Sequence, residues 1–314
     1  MNLFGQSFLL SVAAAITFVA HLNPVSDFEE MWSYQFMQHA FETGTVIAIL
    51  AGFTGYFVVL RRSAFTAHAF SEIGFAGAAA AILVNVQPIF GLLGGSILGG
   101  LGIAALGKRA SNRDTQIGIV LAFSLGLGLL FLSLYSGYET EAYSILFGEI
   151  LGISTFEVYF TSYACIGILL FLGFLYRPLL FASLDEDVAE AKGMPMLFLG
   201  TTFMLVVAVA VSFAVQVTGV LLIFSLMVTP AATAGYLSRK PHRAIIISVL
   251  IAVVAVWGGL FVSFYTPYPV SFFITGMVFG LYIVVRLIDW SLKWRVRKHA
   301  EAEPRAAFPN PLHQ

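Results

Sequence analysis

His68 and Glu72 stand four positions apart inside an apolar stretch, AFTAHAFSEIGFAGAAAA at 64–81. On a helix that spacing puts both side chains on one face, about one turn apart. An imidazole nitrogen and a carboxylate oxygen make a donor pair suited to zinc, manganese or ferrous iron. Two residues do not complete a metal's coordination shell, so other helices must supply the remaining donors. His39 and Glu42, three apart in the preceding apolar run, are candidates, as is Glu149 in the short run YSILFGEILGI. On spacing alone a second reading stays open, a buried His–Glu hydrogen bond that ties helices together. His39 and Glu157 lie near the ends of their runs, where facing water explains them equally well.

Other chemistries lack their residues. The sequence holds no HExxH and no GxSxG, and no Ser/His/Asp arrangement stands out, so hydrolysis has no visible nucleophile. It also holds no GxxxxGK[ST] motif, so any ATP-driven process needs an ATPase on another polypeptide. The net charge of -1 offers no basic surface for nucleic acid. Cys165 is the single cysteine, which excludes a disulfide within the chain, and its apolar surroundings mark it as a small buried hydrophobe.

The elements that position these residues follow from composition. Apolar residues make up 59% of the 314 positions and charged residues 11%, against about 25% charged in soluble domains. Such a chain cannot clothe itself for water, so lipid is its main solvent. A span needs about 20 apolar residues, and ten runs qualify: 7–22, 36–60, 67–86, 88–107, 115–135, 156–177, 195–215, 218–238, 243–264 and 269–289. The run at 143–153 is too short to cross and reads as re-entrant. Strand-like alternation is absent, so the expected fold is an all-α polytopic transmembrane bundle of about ten spans.

The side of each loop follows from Lys and Arg, which gather on the cytoplasmic face. Threading the ten spans puts all 16 of them on one side, from Arg61 and Arg62 to Arg305. Asp27, Glu29, Glu30, Glu139 and Glu141 fall on the other, so both termini are expected in the cytoplasm. The N-terminus has no Lys or Arg before its apolar run, which suits a retained first helix rather than a cleaved leader. Gly91, Gly95 and Gly99 form overlapping GxxxG steps that predict a close helix contact. Pro230, inside TGVLLIFSLMVTPAATAGYL, predicts a kink, since it removes one backbone bond and crowds the Leu226 carbonyl. The polar end from about residue 291 is expected to be a disordered tail.

Three segments resemble one family, the permeases of bacterial ABC importers for zinc, manganese or iron: VVLRRSAFTAHAFSEIGFAGAAAA (58–81), RPLLFASLDEDVAEAKGMP (177–195) and TGVLLIFSLMVTPAATAGYLSR (218–239). LFGEILGIS (146–154) matches a further piece. The likeness implies an importer domain at 36–290, with 1–35 an added N-terminal transmembrane helix and periplasmic loop. It puts His68 and Glu72 at the family's metal-contacting pair with a departure: Asp then His in the family, His then Glu here. Ala76 replaces the Pro of the family's Pro-Gly pair.

The resemblance further implies a homodimer in the bacterial inner membrane, surrounded by lipid, with cytoplasmic ABC ATPase subunits. A periplasmic or lipid-anchored metal-binding protein would deliver the ion. Asp185, Glu186, Asp187, Glu190 and Gly193 would lie in the ATPase-coupling segment, and Pro230 in the pathway. No permanently bound cofactor is implied; the divalent metal is cargo. Another small substrate on the same scaffold and a secondary transporter are the alternatives.

Overall fold

The computed structural model describes residues 24–105, 113–135 and 144–302, and all its long elements are helices. In chain order they are α1 (Pro24–Ser33), α2 (Gln35–Leu60), α3 (Ala64–Leu83), α4 (Pro88–Ala105), α5 (Arg113–Ser133), α6 (Thr155–Leu184), α7 (Glu186–Ala191), α8 (Met196–Thr218), α9 (Val220–Leu237), α10 (Pro241–Phe264) and α11 (Val270–Ala302). A single helical turn at 144–147 and irregular backbone lead into α6. Helices satisfy their backbone groups internally, which hydrocarbon requires of any segment facing it.

Eight described helices are long and apolar enough to cross a membrane: α2, α3, α5, α6, α8, α9, α10 and α11. The expected span at 88–107 is α4, whose apolar part, Pro88–Ile103, is shorter than the others. The expected first span at 7–22 lies outside the described residues, as do Lys108, Arg109, Glu139, Glu141 and 303–314. Two expectations differ from what is observed. The stretch before α2 holds a helix, α1, where a loop was expected. Its Phe28 ring stacks on Trp32 at 5.8 Å and on Trp257 of α10 at 6.2 Å, which gives it an aromatic footing. The helix that ends the last span runs on to Ala302, past the point where disorder was expected to begin.

Side-chain pairs set the direction of each helix. Gly77 faces Gly91, and Ile73 faces Gly99, so α3 and α4 are antiparallel. Phe65 meets Gly118, and Phe75 meets Gly128, so α3 and α5 run parallel. His39 reaches Ile153, and Arg61 reaches Ser183, so α2 and α6 are parallel. Ser248 Oγ donates to the Gly52 carbonyl at 2.9 Å and Trp257 Nε1 donates to Thr45 Oγ1 at 2.7 Å, so α2 and α10 are antiparallel. One end of the bundle therefore gathers His39, the 144–154 segment and the start of α6. The opposite end gathers Arg61, the start of α3 and the end of α6.

The GxxxG contact falls on the helix that carries the candidate pair. A Cβ on Gly77 would strike the Gly91 backbone, and Gly95 and Gly99 lie against Ile73. Ser96 Oγ, one residue after Gly95, donates to the Phe70 carbonyl at 3.0 Å. The absence of side chains along this seam thus holds α3 close to α4. Large apolar side chains instead cover the outside: Phe174 of α6 is 83% exposed and Phe156 76%. Such a surface is stable only against lipid or another apolar partner.

Candidate functional site

The turn before α3 contains Arg62 with φ 54, and the helix begins at Ala64. Five positions into α3 comes His68, half-buried, with its ring 4.8 Å from that of Phe224 on α9. Glu72 follows one turn later and is 4% exposed. Between them Ser71 bonds locally, its Oγ donating to the His68 carbonyl at 2.7 Å. His68 Nδ1 and Glu72 Oε2 are both buried without a hydrogen-bond partner. A buried unsatisfied polar atom costs about 1–3 kcal/mol, so two on one helix face call for a reason beyond packing.

The other candidates sit elsewhere. His39, near the start of α2, lies with Nδ1 3.1 Å from the Ile153 carbonyl, tying α2 to the short segment before α6. Glu42 is exposed one turn on. Glu149 is exposed on that short segment and lines a cleft of about 620 Å³ with Gln87, Phe90, Phe156, Glu157 and Gln216. Among the described residues, no three or more His, Cys, Asp or Glu side chains come together to hold a metal. One copy therefore brings no third such side chain to the pair among the described residues.

Glu157 closes a capping box. The Ser154 backbone N–H donates to Glu157 Oε2 at 2.9 Å, and the Glu157 N–H donates to Ser154 Oγ at 3.4 Å. Its Ser-x-x-Glu spacing was legible in the sequence as a helix start. The short segment is further held by α8, α9 and α11. A Cβ on Gly148 (φ +79) would meet the backbone at 217–219, and one on Gly219 (φ +82) the backbone at 146–148. Ser271 Oγ donates to the Phe147 carbonyl at 2.5 Å. Gly219 alone joins α8 to α9, so this weld sets where α9 starts and thereby where Phe224 meets His68. Sequence reasoning singled out neither Phe224 nor Gly219, although both lie in the 218–239 segment, and it passed over Ser271, which lies outside every motif.

Pro230 lies buried inside α9, which continues through it. At the opposite end of the bundle Asp185 caps α7, its carboxylate accepting from the Val188 N–H at 3.1 Å. Glu186 and Asp187 occupy the first turn, where their charge suits the helix dipole. Gly193 closes α7 with φ +78. The Met194 N–H donates to the Ala189 carbonyl at 3.1 Å and the Gly193 N–H to the Glu190 carbonyl at 2.9 Å, a Schellman ending. Lys192 Nζ sits 5.0 Å from the centroid of the Phe181 ring of α6. The segment is a small rigid knob at the basic end.

Residues 33–289 match the family described as the ABC 3 transport family. The manganese transport system membrane protein MntC of Listeria monocytogenes is 29% identical over 237 residues, 75% of this chain and 84% of that protein. The high-affinity zinc uptake system membrane protein ZnuB of Buchnera aphidicola is 29% identical over 230 residues, covering 73% and 88%. Among solved structures, PsaBC from Streptococcus pneumoniae in complex with Fab is similar with a TM-score of 0.76 and 27% identity. That alignment covers 83% of this chain and 94% of that one.

Proposed function

The chain belongs to the ABC 3 transport family, and we propose that it is the membrane-spanning subunit of an ATP-driven importer of manganese or zinc. Those two metals are the ones named for its relatives MntC and ZnuB. The observation that carries the reading is the His68–Glu72 pair on α3, with Nδ1 and Oε2 buried and unpartnered. Two donors cannot hold a divalent ion alone, but two copies about a twofold axis bring two imidazoles and two carboxylates. That set suits tetrahedral zinc and also manganese. The cargo passes through such a site and must leave it, so a loosely completed shell serves better than a closed cage.

In this reading the basic end of the bundle faces the cytoplasm, with about ten spans and both termini inside. The cytoplasmic membrane of a bacterium is its place. The α7 knob, with Asp185, Glu186, Asp187, Glu190 and Gly193, receives a separate ATPase subunit. The opposite, acidic end receives a metal-binding protein. Nucleotide binding and hydrolysis on the ATPase then shift the bundle between outward- and inward-open states. Pro230 leaves the Leu226 carbonyl of α9 without its helical donor, which gives the helix beside His68 a place to bend. The permease itself holds and releases the ion and catalyses nothing.

Elemental analysis of cells expressing the complete transporter, wild type against Glu72→Gln, tests this. A Glu72-dependent rise in cellular manganese or zinc is expected, with ATP hydrolysis by the variant complex retained. If no metal changes while both complexes hydrolyse ATP, the substrate is not a metal.

A further inference from the structure

The last helix outruns the membrane. The apolar window of α11, Val270–Ser291, has 22 residues, about 33 Å at 1.5 Å per residue, enough to cross a hydrocarbon layer of about 30 Å. The helix nevertheless continues to Ala302. The added stretch, LKWRVRKHAEA, carries Lys293, Arg295, Arg297 and Lys298 against one acid, Glu301. Along the axis these four stand about 3, 6, 9 and 10 Å beyond Ser291. A headgroup layer is about 5–8 Å thick on each side. The backbone of Lys293 and of position 295 therefore lies at headgroup depth, with that of 297 and 298 at its aqueous edge.

The surroundings of α11 say what those charges meet. Only 11% of its apolar window is buried in the chain, against 61% for α2, so most of its perimeter borders on lipid. Trp290 and Trp294, one turn apart, are 66% and 53% exposed, the placement of an interfacial aromatic pair. Lys293 is 64% exposed and keeps one acidic neighbour, Asp289 Oδ2 at 2.7 Å. One turn before Trp290, the Arg286 guanidinium sits 4.8 Å from the centroid of the Tyr236 ring and holds this end against α9. The coupling knob α7 packs instead on α6 and α8, away from α11, which packs on α9 and α10.

We propose that 292–298 is a binding site for anionic phospholipid headgroups, in which the basic residues meet phosphate while the two tryptophans seat at the hydrocarbon boundary. A basic cluster directly beyond a span attracts anionic lipid by charge, and its depth selects headgroups over dissolved ions. The proposal rests on the membrane reading and is independent of the metal transported.

Native mass spectrometry of the full-length protein, offered phosphatidylglycerol and phosphatidylcholine in equal amounts, reads the site directly. The wild type is expected to retain phosphatidylglycerol preferentially. The variant K293Q/R295Q/R297Q/K298Q should lose at least about fivefold of that preference, from about 1 kcal/mol per surface charge. R239Q/K240Q, at the same end but outside α11, should keep it, and excess inorganic phosphate should leave it intact. Equal retention in wild type and quadruple variant overturns the proposal, as does an equal loss in the R239Q/K240Q protein. Competition by inorganic phosphate would make this a plain anion site, and displacement of lipid by added ATPase would make it a subunit contact; either overturns it. Should the quadruple variant fail to run as a single species, R297E answers the same question with one change.

Discussion

Glu72 is a carboxylate at 4% exposure whose Oε2 has no partner. Such a group weakens the fold, and if it serves the proposed cargo, function and stability should respond with opposite sign. Glu72→Gln is expected to lower metal uptake at least about tenfold, the order of effect of disturbing a metal ligand's support. Glu72→Met should raise the thermal midpoint of the metal-free protein, because a buried unsatisfied group worth about 1–3 kcal/mol is removed. Uptake assays beside thermal melts in detergent check both; a variant that loses uptake and stability together would make Glu72 a structural residue. Phe224, 4.8 Å from the His68 ring, orients that imidazole. Phe224→Leu should raise the KM for metal more than it lowers the maximal rate, while His68→Ala removes uptake. His68 and Glu72 keep both donor types on one face of α3, since residues four apart lie one above the other.

At the scale of elements, two glycines of positive φ separate conformational need from packing. Gly193 (φ +78) ends α7 with nothing within 4 Å of an added Cβ. Gly193→Ala therefore carries only the left-handed backbone penalty, about 1–2 kcal/mol, and the protein should still fold. Its signature should be weaker ATPase association, read by co-purification. Gly219 (φ +82) has the same penalty, and a Cβ there would also run into the backbone at 146–148. Gly219→Ala should displace the short segment and sharply reduce the yield of folded protein, measured by monodisperse material after extraction. Asp185→Ala removes an N-cap worth about 0.5–2 kcal/mol and should loosen the same coupling knob without touching the yield of the bundle. These elements announced themselves unequally. Gly193 was singled out through the family resemblance of 177–195, and the structure shows it closing α7 in a Schellman ending, which needs glycine at a fixed place. The weld at Gly148, Gly219 and Ser271 was not singled out, because it joins backbone from three distant stretches and asks only for small residues.

For the whole molecule, the decisive property is what one copy lacks. Among its described residues no three metal-binding side chains converge, while α5 and α6 expose broad apolar faces. If two copies complete the site, one Glu72→Gln subunit should disable the pair. Co-expression of wild-type and Glu72→Gln chains with separate tags, followed by isolation of the mixed dimer, should give uptake near the doubly substituted level. Uptake at half the wild-type level would mean that each copy transports by itself.

Membrane residence and eight of the ten expected runs were determined by the sequence alone, as was the clustering of Lys and Arg between them. Each rests on a quantity summed over many residues: hydrocarbon rejects charge, a span has a set length, and Lys and Arg gather at one face. The His68–Glu72 pairing was legible too, because helical spacing is local. Only the tertiary structure decided that His39 ties α2 to Ile153, that Glu149 lies on a separate cleft, and that Phe224 of α9 meets His68. It also decided that the last helix passes Ser291 and runs to Ala302. Those outcomes depend on which helix faces lie against each other. In an apolar chain almost every face reads alike, so interlocking small residues and a few hydrogen bonds between distant segments make the choice.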